Sequence, residues 1–220
     1  MTLRRAAIPL VMALALAACS TSNIPPTPTK TPGPEPPPAV AYPSLEALEA
    51  VALNPVDVGP GYEIDPDFTG PLTAELLSSG SSPQTGEFLG GLENLYGYQS
   101  AFIRTRSVED LAAVRDWVVV FRTSTDASRF VALHPTITQN EQGFQMLPAP
   151  ALGEESAAFV ATTTESGAVP LDRHDVVLRR KNVVAVLFVV TAAGLADEGE
   201  IERYAQTLDA RLAELVEAAS

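Results

Sequence analysis

The stretch DVVLRRKNVVAVLFVV, residues 175–190, predicts a β-hairpin at the centre of the fold. Two runs rich in β-branched residues, Asp175–Arg179 and Val183–Val190, flank a short polar turn at residues 180–182. The second run is apolar at every position, so other parts of the chain have to cover both of its faces. We therefore expect a central strand in a sheet that carries further structure on each side.

Three other segments extend the predicted sheet. YGYQSAFIR (Tyr96–Arg104), WVVVFR (Trp117–Arg122) and AAFVATTT (residues 157–164) are rich in β-branched, aromatic and small residues. In the first segment the aromatic side chains alternate with others and fall on one face of the strand. These segments predict neighbours for the central hairpin.

Short helices and loops connect these strands. SLEALEAVAL predicts a helix with Ser44 as its N-cap, ended by the Asn-Pro pair at residues 54–55. TSTDASRFVALHP predicts a second helix, capped near Thr123 and ended by His134 and Pro135. Residues 70–91 contain an excess of Ser, Gly and Pro, which predicts a long exposed loop, either functional or merely tolerated.

The last element is a long amphipathic helix from Glu198 to Val216. Its apolar residues repeat at helical spacing, so this stripe should pack across the sheet. The order helix, strands, helix, hairpin, helix predicts an α+β fold, a twisted antiparallel sheet with helices packed on it. The predicted stripe is Ile201, Tyr204, Ala205, Leu208, Leu212, Leu215 and Val216, and Glu202, Arg203, Asp209, Glu214 and Glu217 are predicted to face solvent.

The amino terminus predicts export. A basic start, with Arg4 and Arg5, precedes a run of about a dozen mostly apolar residues, which is short for a membrane span and typical of a signal peptide. An uncleaved anchor helix is the alternative. We assign residues 1–18 to the signal peptide.

Cys19 is the only cysteine, and it directly follows this apolar run in the sequence LAAC. The sequence resembles the lipobox of bacterial lipoproteins, in which the cysteine thiol is lipidated and becomes the first residue of the mature protein. The resemblance implies attachment of Cys19 to a membrane through acyl chains, because each buried methylene contributes about 0.8 kcal/mol. A lone cysteine also excludes a disulfide within the chain and a cysteine metal site.

Residues 19–43 predict a tether. After Cys19 this segment is dominated by Pro and Thr, and consecutive prolines favour an extended polyproline II backbone. A proline-motif ligand for another domain is the alternative. The single globular domain is then expected at residues 44–220.

The chain is strongly acidic. Its net charge is −13, and removal of residues 1–18, which contain two arginines and no acid, leaves 12 basic against 27 acidic side chains, or −15. Such a surface repels nucleic acid and anionic lipid headgroups. We predict no nucleic-acid partner, and membrane residence has to come from the acyl chains.

Catalytic and metal signals are weak. The two histidines, His134 and His174, do not form a zinc-binding spacing and are predicted to have surface or capping roles. Ser156 beside the acidic pair at residues 154–155 lacks the strand-to-helix order of a nucleophile elbow. Asp65 and Asp67 supply oxygens without the rest of a calcium loop. We predict no cofactor and no enzymatic activity.

Two surface features remain as candidate binding sites. Arg104, Arg122, Arg179 and Arg180 fall near predicted strand ends and could form a patch for an anion or an acidic partner, although basic side chains also protect sheet edges. A set of aromatic residues could line an apolar ligand pocket or pack in the core. The set is Tyr62, Phe68, Tyr96, Tyr98, Phe102, Trp117 and Phe121.

Taken together, the helix before DVGPGY, the strands YGYQSAFIR and WVVVFR, the turn LGEESAAF, the hairpin and the final helix are similar to bacterial lipoproteins of unknown function. They also resemble, more distantly, the extracellular sensor domain of PknH-type kinases. This resemblance implies an antiparallel α+β sandwich that binds something outside the cytoplasm. The chain departs from the kinase domain by lacking its disulfides.

The function expected from these features is that of a cell-envelope lipoprotein on the extracytoplasmic side of a membrane. Its domain would bind an envelope protein partner or a ligand. A carrier of an apolar small molecule and an envelope hydrolase are the alternatives.

Overall fold

The computed structural model describes most of the predicted globular domain. The predicted signal peptide, Cys19 and the linker up to residue 41 lie outside the described residues, as does the larger part of the predicted 70–91 loop. The structure describes residues 42–78, 96–104, 112–138, 143–163 and 169–219.

The predicted hairpin is confirmed and lies inside an eight-stranded antiparallel sheet. β7 (Leu171–Arg180) pairs with β8 (Val183–Ala192) around a turn of only two residues, in which Lys181 has a φ of 51°. The turn is shorter than predicted because Arg180 pairs with Val183. β8 also pairs with β4 (Ala112–Val120), so it has a strand on each side, as its apolar sequence requires.

The remaining strands extend the sheet on both sides of this centre. The sheet order is β1-β3-β4-β8-β7-β6-β5, and β2 pairs with β3 beside β1. The strands not yet given are β1 (Glu63–Ile64), β2 (Gly70–Thr73), β3 (Tyr96–Arg104), β5 (Gln145–Leu147) and β6 (Glu155–Thr163).

One face of the sheet, called the front face here, is covered by α1 (Leu45–Val51), α2 (Pro55–Val58) and the long α5 (Glu198–Ala218). The predicted stripe of α5 supplies much of this core, which confirms both that helix and the α+β class. The largest buried members of the front core are Leu48, Phe102, Val114, Val118, Leu178, Leu187, Tyr204, Leu208 and Leu212.

The opposite face, the back face, is covered by α4 (Ser124–Thr138) and by α3 (Ala74–Ser78). The two cores lie on opposite sides of the sheet because successive side chains of a strand alternate between its faces. The back core consists of Leu72, Leu77, Val119, Phe121, Ala127, Phe130, Val131, Val177, Val184 and Val186.

Besides the start of β4, which lies at Ala112 and not at Trp117, two predicted boundaries are wrong. Residues 70–78 are not loop: they form β2 and α3, because Leu72 and Leu77 bury their side chains against the back core. α4 does not end at His134 but continues through Pro135 to Thr138. His134 is buried among aromatic rings, and this packing outweighs the helix bond that a proline cannot make.

Candidate functional site

An apolar groove of about 570 Å³ opens on the front face, beside α5. Its floor is the sheet, one wall is α5, and the other wall is the segment that connects β5 to β6. The lining residues are Leu147, Pro148, Ala149, Pro150, Ala151, Leu152, Ala158, His174, Val176, Glu198, Ile201, Glu202, Ala205 and Gln206.

The sequence LPAPAL (Leu147–Leu152) explains the connecting wall. Pro148 and Pro150 have no N–H to donate, so this segment cannot extend the pairing of β5 with β6. Leu147 and Leu152 at its two ends pack against the front core. The segment therefore crosses the face of the sheet instead of joining it, and a groove remains between it and α5.

Hydrogen bonds hold this wall in place. The hydroxyl of Ser156 donates to the carbonyl of Pro150, and the N–H of Leu152 donates to the same carbonyl at 2.8 Å. Next to it, Gly153 has a φ of 63°, and a Cβ at this position would lie 2.6 Å from the carbonyl oxygen of Arg179. Glycine is the residue that fits this left-handed, crowded position.

Asp209 connects the wall to α5. Its Oδ1 accepts a hydrogen bond from the N–H of Gly153 at 3.0 Å, and its carboxylate accepts two from the guanidinium of Arg180, at 2.7 and 2.9 Å. The hydrogen bond with Asp209 raises the pKa of Arg180. Asp209 was predicted to face solvent and is only 9% exposed, because it follows Ala205 by four residues and so lies at the edge of the buried stripe.

Polar groups stand at the margin of the groove. His174 projects from β7 and is half-buried, and Glu198, Glu202 and Gln206 are exposed along α5. The side-chain amide of Gln206 donates to Glu202 at 3.0 Å. The groove thus combines an apolar interior with an acidic rim, which suits binding of a molecule that is apolar at one end and polar at the other.

The predicted catalytic candidates do not form a catalytic site. Ser156 is bonded to a backbone carbonyl, and Arg179 forms ion pairs with Glu154 at 2.8 Å and with Glu155 at 2.9 Å. The hydrogen bond from Arg179 lowers the pKa of Glu155. In the described part of the chain, no serine hydroxyl is hydrogen-bonded to His134 or His174.

The surface role predicted for His134 is wrong. Its side chain is buried under α4, in ring contact with Phe130, Phe159 and Phe188, and its Nε2 lies 3.5 Å from the carboxylate of Asp175. Asp175 in turn pairs with Nε of Arg173 at 3.0 Å. The prediction was wrong because it took Pro135 as the end of α4 and therefore placed His134 at a helix end.

The four arginines predicted to form a patch lie at two ends of the sheet. Arg179, Arg180 and Arg122 are at the end with the β7–β8 turn, where a polar cavity of about 360 Å³ lies beside Arg179. Arg104 is at the opposite end of β3, with its guanidinium 4.8 Å from the ring centroid of Tyr62. Anion binding by the first three stays a prediction, and Glu154, Glu155 and Asp209 already compensate part of their charge.

The seven aromatic residues are also divided between the two faces. Phe102 belongs to the front core, with Tyr62, Tyr96 and Tyr98 packed against it. Phe121 belongs to the back core, and Trp117 packs beside it. Phe68 lies against the guanidinium of Arg115. These residues therefore do not line one pocket, and the groove that does exist is lined by aliphatic residues and prolines.

The carboxylates considered for metal binding have structural roles. Asp65 accepts a hydrogen bond from the N–H of Asp67 at 3.1 Å and caps the 3-10 turn Pro66–Phe68. Asp197 caps α5 by accepting from the N–H groups of Gly199 and Glu200. Across the described residues no three His, Cys, Asp or Glu side chains converge in a way that could hold a metal ion.

Besides Asp209, the front face buries another acid that the sequence pattern did not reveal. Asp116 on β4 is fully buried, and its Oδ1 accepts hydrogen bonds from the hydroxyl of Ser100 and from the N–H of Leu53. Burial raises the pKa of Asp116 to about 7, although both hydrogen bonds act in the opposite direction. The predicted strand began at Trp117, so Asp116 had no assigned position.

Comparisons with solved structures give the fold. The extracellular domain of PknH from Mycobacterium tuberculosis matches with a TM-score of 0.51 at 14% identity, over 77% of this chain and 97% of that domain. The resemblance to PknH-type sensor domains is thereby confirmed at the level of the fold. No protein-family model matches the sequence, and no curated protein matches it.

Two further structures are similar at a lower level. One is LpqN, described as involved in cell envelope biogenesis of Mycobacterium tuberculosis, with a TM-score of 0.34 and 17% identity over 69% of this chain and 83% of that one. The other is a putative uncharacterized protein from Mycobacterium smegmatis, with a TM-score of 0.38 and 11% identity. That match covers 72% of this chain and 90% of the other. No helix within the described residues is long and apolar enough to cross a bilayer.

Proposed function

We propose that this domain is a non-catalytic binding module that holds a small amphiphilic molecule in the groove beside α5. The observation that carries the proposal is the groove itself. Its volume of about 570 Å³ lies within the range of about 300–1,000 Å³ that is typical of small-molecule sites.

The construction of the groove supports a site that exists before a ligand arrives. Ser156 and Asp209 fix its proline-containing wall to the sheet and to α5. A wall that is already ordered loses little conformational entropy on binding. The apolar interior would release water when it accepts an alkyl chain or a ring system.

The rim restricts the polar end of the ligand. Glu198 and Glu202 are exposed at the groove, and the whole chain is strongly acidic, so an anionic headgroup would be repelled. A hydroxyl-rich or cationic headgroup could instead hydrogen-bond to these carboxylates and to His174. We therefore propose an amphiphile with a neutral or positively charged polar end.

The place of action is part of the same proposal. The LAAC sequence supports lipidation of Cys19, and the residues that follow support a tether, so the domain would stand on the extracytoplasmic side of the cell envelope. Mass spectrometry of the amino-terminal peptide tests this part. A peptide that still contains Ala18 joined to an unmodified Cys19 would contradict lipidation.

A probe-binding experiment tests the groove. We expect the full chain carrying Cys19→Ser, which removes the predicted acylation site, to bind the neutral apolar dye N-phenyl-1-naphthylamine with saturable fluorescence. Gln206→Trp places a large ring in the groove from an exposed position of α5 and should weaken binding about 10-fold or more. Glu214→Trp, at an exposed position of the same helix that does not line the groove, is the matched control.

The proposal fails if the dye does not saturate, or if both tryptophan variants bind it equally well. If a protein from the native envelope instead crosslinks to the groove and competes with the dye, the occupant is a partner segment and the small-molecule assignment is overturned.

A further inference from the structure

The back face carries a second cavity, of about 280 Å³, whose chemistry differs from that of the groove. α4 covers the part of the back face near the β7–β8 turn, and the cavity lies on the strands farther from that turn. It is formed by three neighbouring strands, β4, β8 and β7. Its lining residues are Ala113, Arg115, Trp117, Arg173, Phe188 and Val190.

Aromatic rings form the floor. Trp117 and Phe188 meet edge to face, with ring centroids 4.6 Å apart. Phe188 lies directly opposite Arg115 in the β4–β8 pairing. The indole N–H of Trp117 is buried and has no hydrogen-bond acceptor in the described part of the chain, which leaves a donor unused beside the cavity.

Arg115 is the unusual residue of this site. Its guanidinium lies 4.1 Å from the ring centroid of Phe68, which covers one of its faces. Among the described residues, no carboxylate lies within ion-pair distance of it. Burial lowers the pKa of Arg115, and the more distant Asp65 opposes that shift only in part.

Arg173 adds a second guanidinium from the other side. It projects from β7, two strands away from β4, which is a separation of about 10 Å between the strands. Arg173 forms an ion pair with Asp175, whose carboxylate is buried on the same face of the sheet. The described lining of the cavity thus includes two arginines and no acidic residue, in a chain whose net charge is −13.

We infer that this cavity is a binding site for a small anion, a carboxylate or a phosphate monoester carried on a ring or a short apolar group. A planar guanidinium held against Phe68 presents its remaining N–H groups in a fork that matches two oxygens of such an anion. Trp117 and Phe188 would contact the ring or apolar group of this ligand. The volume of about 280 Å³ restricts the ligand to about one ring.

This site is independent of the groove and of its proposed function. The groove lies on the front face and has an acidic rim, whereas the cavity lies on the back face and is lined by arginines. The anion proposed for the cavity is consequently not a ligand for the groove, for which a neutral or positively charged amphiphile is proposed.

The chain's single tryptophan makes the test direct. Trp117 emission should change in a saturable way when benzoate or phenyl phosphate is added to the full chain carrying Cys19→Ser. Arg115→Gln should weaken binding about tenfold or more, because a bidentate charge-assisted contact is lost. Arg104→Gln removes another arginine that stacks on an aromatic ring, outside the cavity, and should leave binding unchanged.

The identity of the anion follows from which probe binds. Response to both probes supports the shared oxyanion chemistry, and response to one alone assigns the site to a carboxylate or to a phosphate. Ala113→Glu introduces a carboxylate into the cavity and leaves Arg115 in the sequence, and it should also abolish binding. This variant is the alternative test if Arg115→Gln does not fold. The inference is overturned if neither probe saturates below about 10 mM, if phenol binds as well as phenyl phosphate, or if a folded Arg115→Gln binds like the wild type.

Discussion

The front and back faces of the sheet each bury an acid, Asp116 and Asp175, and the two acids have different partners. On the front face, Asp116 is buried against a hydroxyl and a backbone N–H, with no cation within ion-pair distance in the described structure. On the back face, Asp175 contacts both Arg173 and His134. Asp116 therefore lacks the ion pair that Asp175 has, although Asp209 and Asp57, under the helices of the front face, are paired with Arg180 and Arg211.

The comparison shows how a single strand can serve two kinds of site. Along β7, His174 and Val176 line the front groove, while Arg173 lines the back cavity and Asp175 is buried beside it on the same face. Alternation of side chains across the sheet separates the two chemistries by one residue. Each of the following substitutions changes one face and should leave the other intact.

The largest effect is expected from Asp116→Asn, which tests whether this buried acid of the front face is protonated. Because burial raises the pKa of Asp116 from the ordinary value of 3.8 to about 7, the folded state holds a proton that the unfolded chain releases. In the wild type this group lowers the free energy of unfolding as pH rises from about 4 to about 7, by up to about 4 kcal/mol. The amide should remove that slope and stabilise the protein above pH 7.

Urea unfolding at a series of pH values measures this slope. Glu46→Gln, at an exposed position in the first turn of α1, is the control and should keep the wild-type slope. An unchanged slope in Asp116→Asn would show that Asp116 is already ionised in the folded protein at low pH.

Asp175→Asn tests the charged character of the back face and should destabilise the protein by about 3 kcal/mol. It removes the carboxylate that lies 3.0 Å from Arg173 and 3.5 Å from His134, so the guanidinium of Arg173 loses this ion pair with a buried acid. The same change removes a negative charge from beneath the cavity, so phenyl phosphate should bind several-fold more tightly. Thermal unfolding and Trp117 emission measure the two effects, and dye binding in the groove should not change. Weaker phosphate binding in a folded variant would contradict this account.

Asp209→Ala tests the wall of the groove and should destabilise the protein by about 2 kcal/mol. The substitution leaves Arg180 and the N–H of Gly153 without the carboxylate that both contact. Dye binding should weaken as the wall loosens, while anion binding on the back face stays the same. Glu214→Ala, at an exposed position of the same helix, is the control. Equal loss of both binding activities would mean that the two faces are not independent.

Ser156→Ala should have the smallest effect, about 1 kcal/mol, because it removes one hydrogen bond to the carbonyl of Pro150. Hydrogen exchange should increase at the N–H of Leu152, which donates to the same carbonyl. Ser128→Ala, which removes a hydroxyl bonded to Glu155 near α4, should leave this exchange rate unchanged. Exchange that does not respond to Ser156→Ala would show that the proline segment is held by packing of its leucines alone.

Sequence patterns predicted the elements whose cause is local. The apolar run at residues 183–190 and the helical stripe of α5 each contain within a few residues the signal that forms them. The boundaries at Pro135 and in residues 70–78 were wrong because distant contacts decide them. His134 is held by Phe188, and Leu72 and Leu77 are held by the back core.

The sites were harder to predict than the fold for the same physical reason. The groove depends on Asp209 joining α5 to Gly153, a contact between residues 56 positions apart. The cavity depends on Arg115 and Trp117 lying on one face of β4, but the predicted strand began at Trp117 and excluded Arg115. Its second arginine, Arg173, lies near Arg115 because β8 pairs with both β4 and β7 and brings these strands together.

The strand order has a consequence for how the chain folds. β3 and β4 are sequential neighbours, as are β6, β7 and β8, so each group can pair soon after it is made. The two groups join only through β4 and β8, where Val120 faces Val183, 63 positions later in the chain. Closing so long a loop lowers the conformational entropy of the chain, and no contact formed earlier compensates for that loss. We expect this β4–β8 pairing to form in the rate-limiting step, so the protein should fold slowly for its size. Newly made chains would expose two unpaired strand edges until β4 and β8 pair.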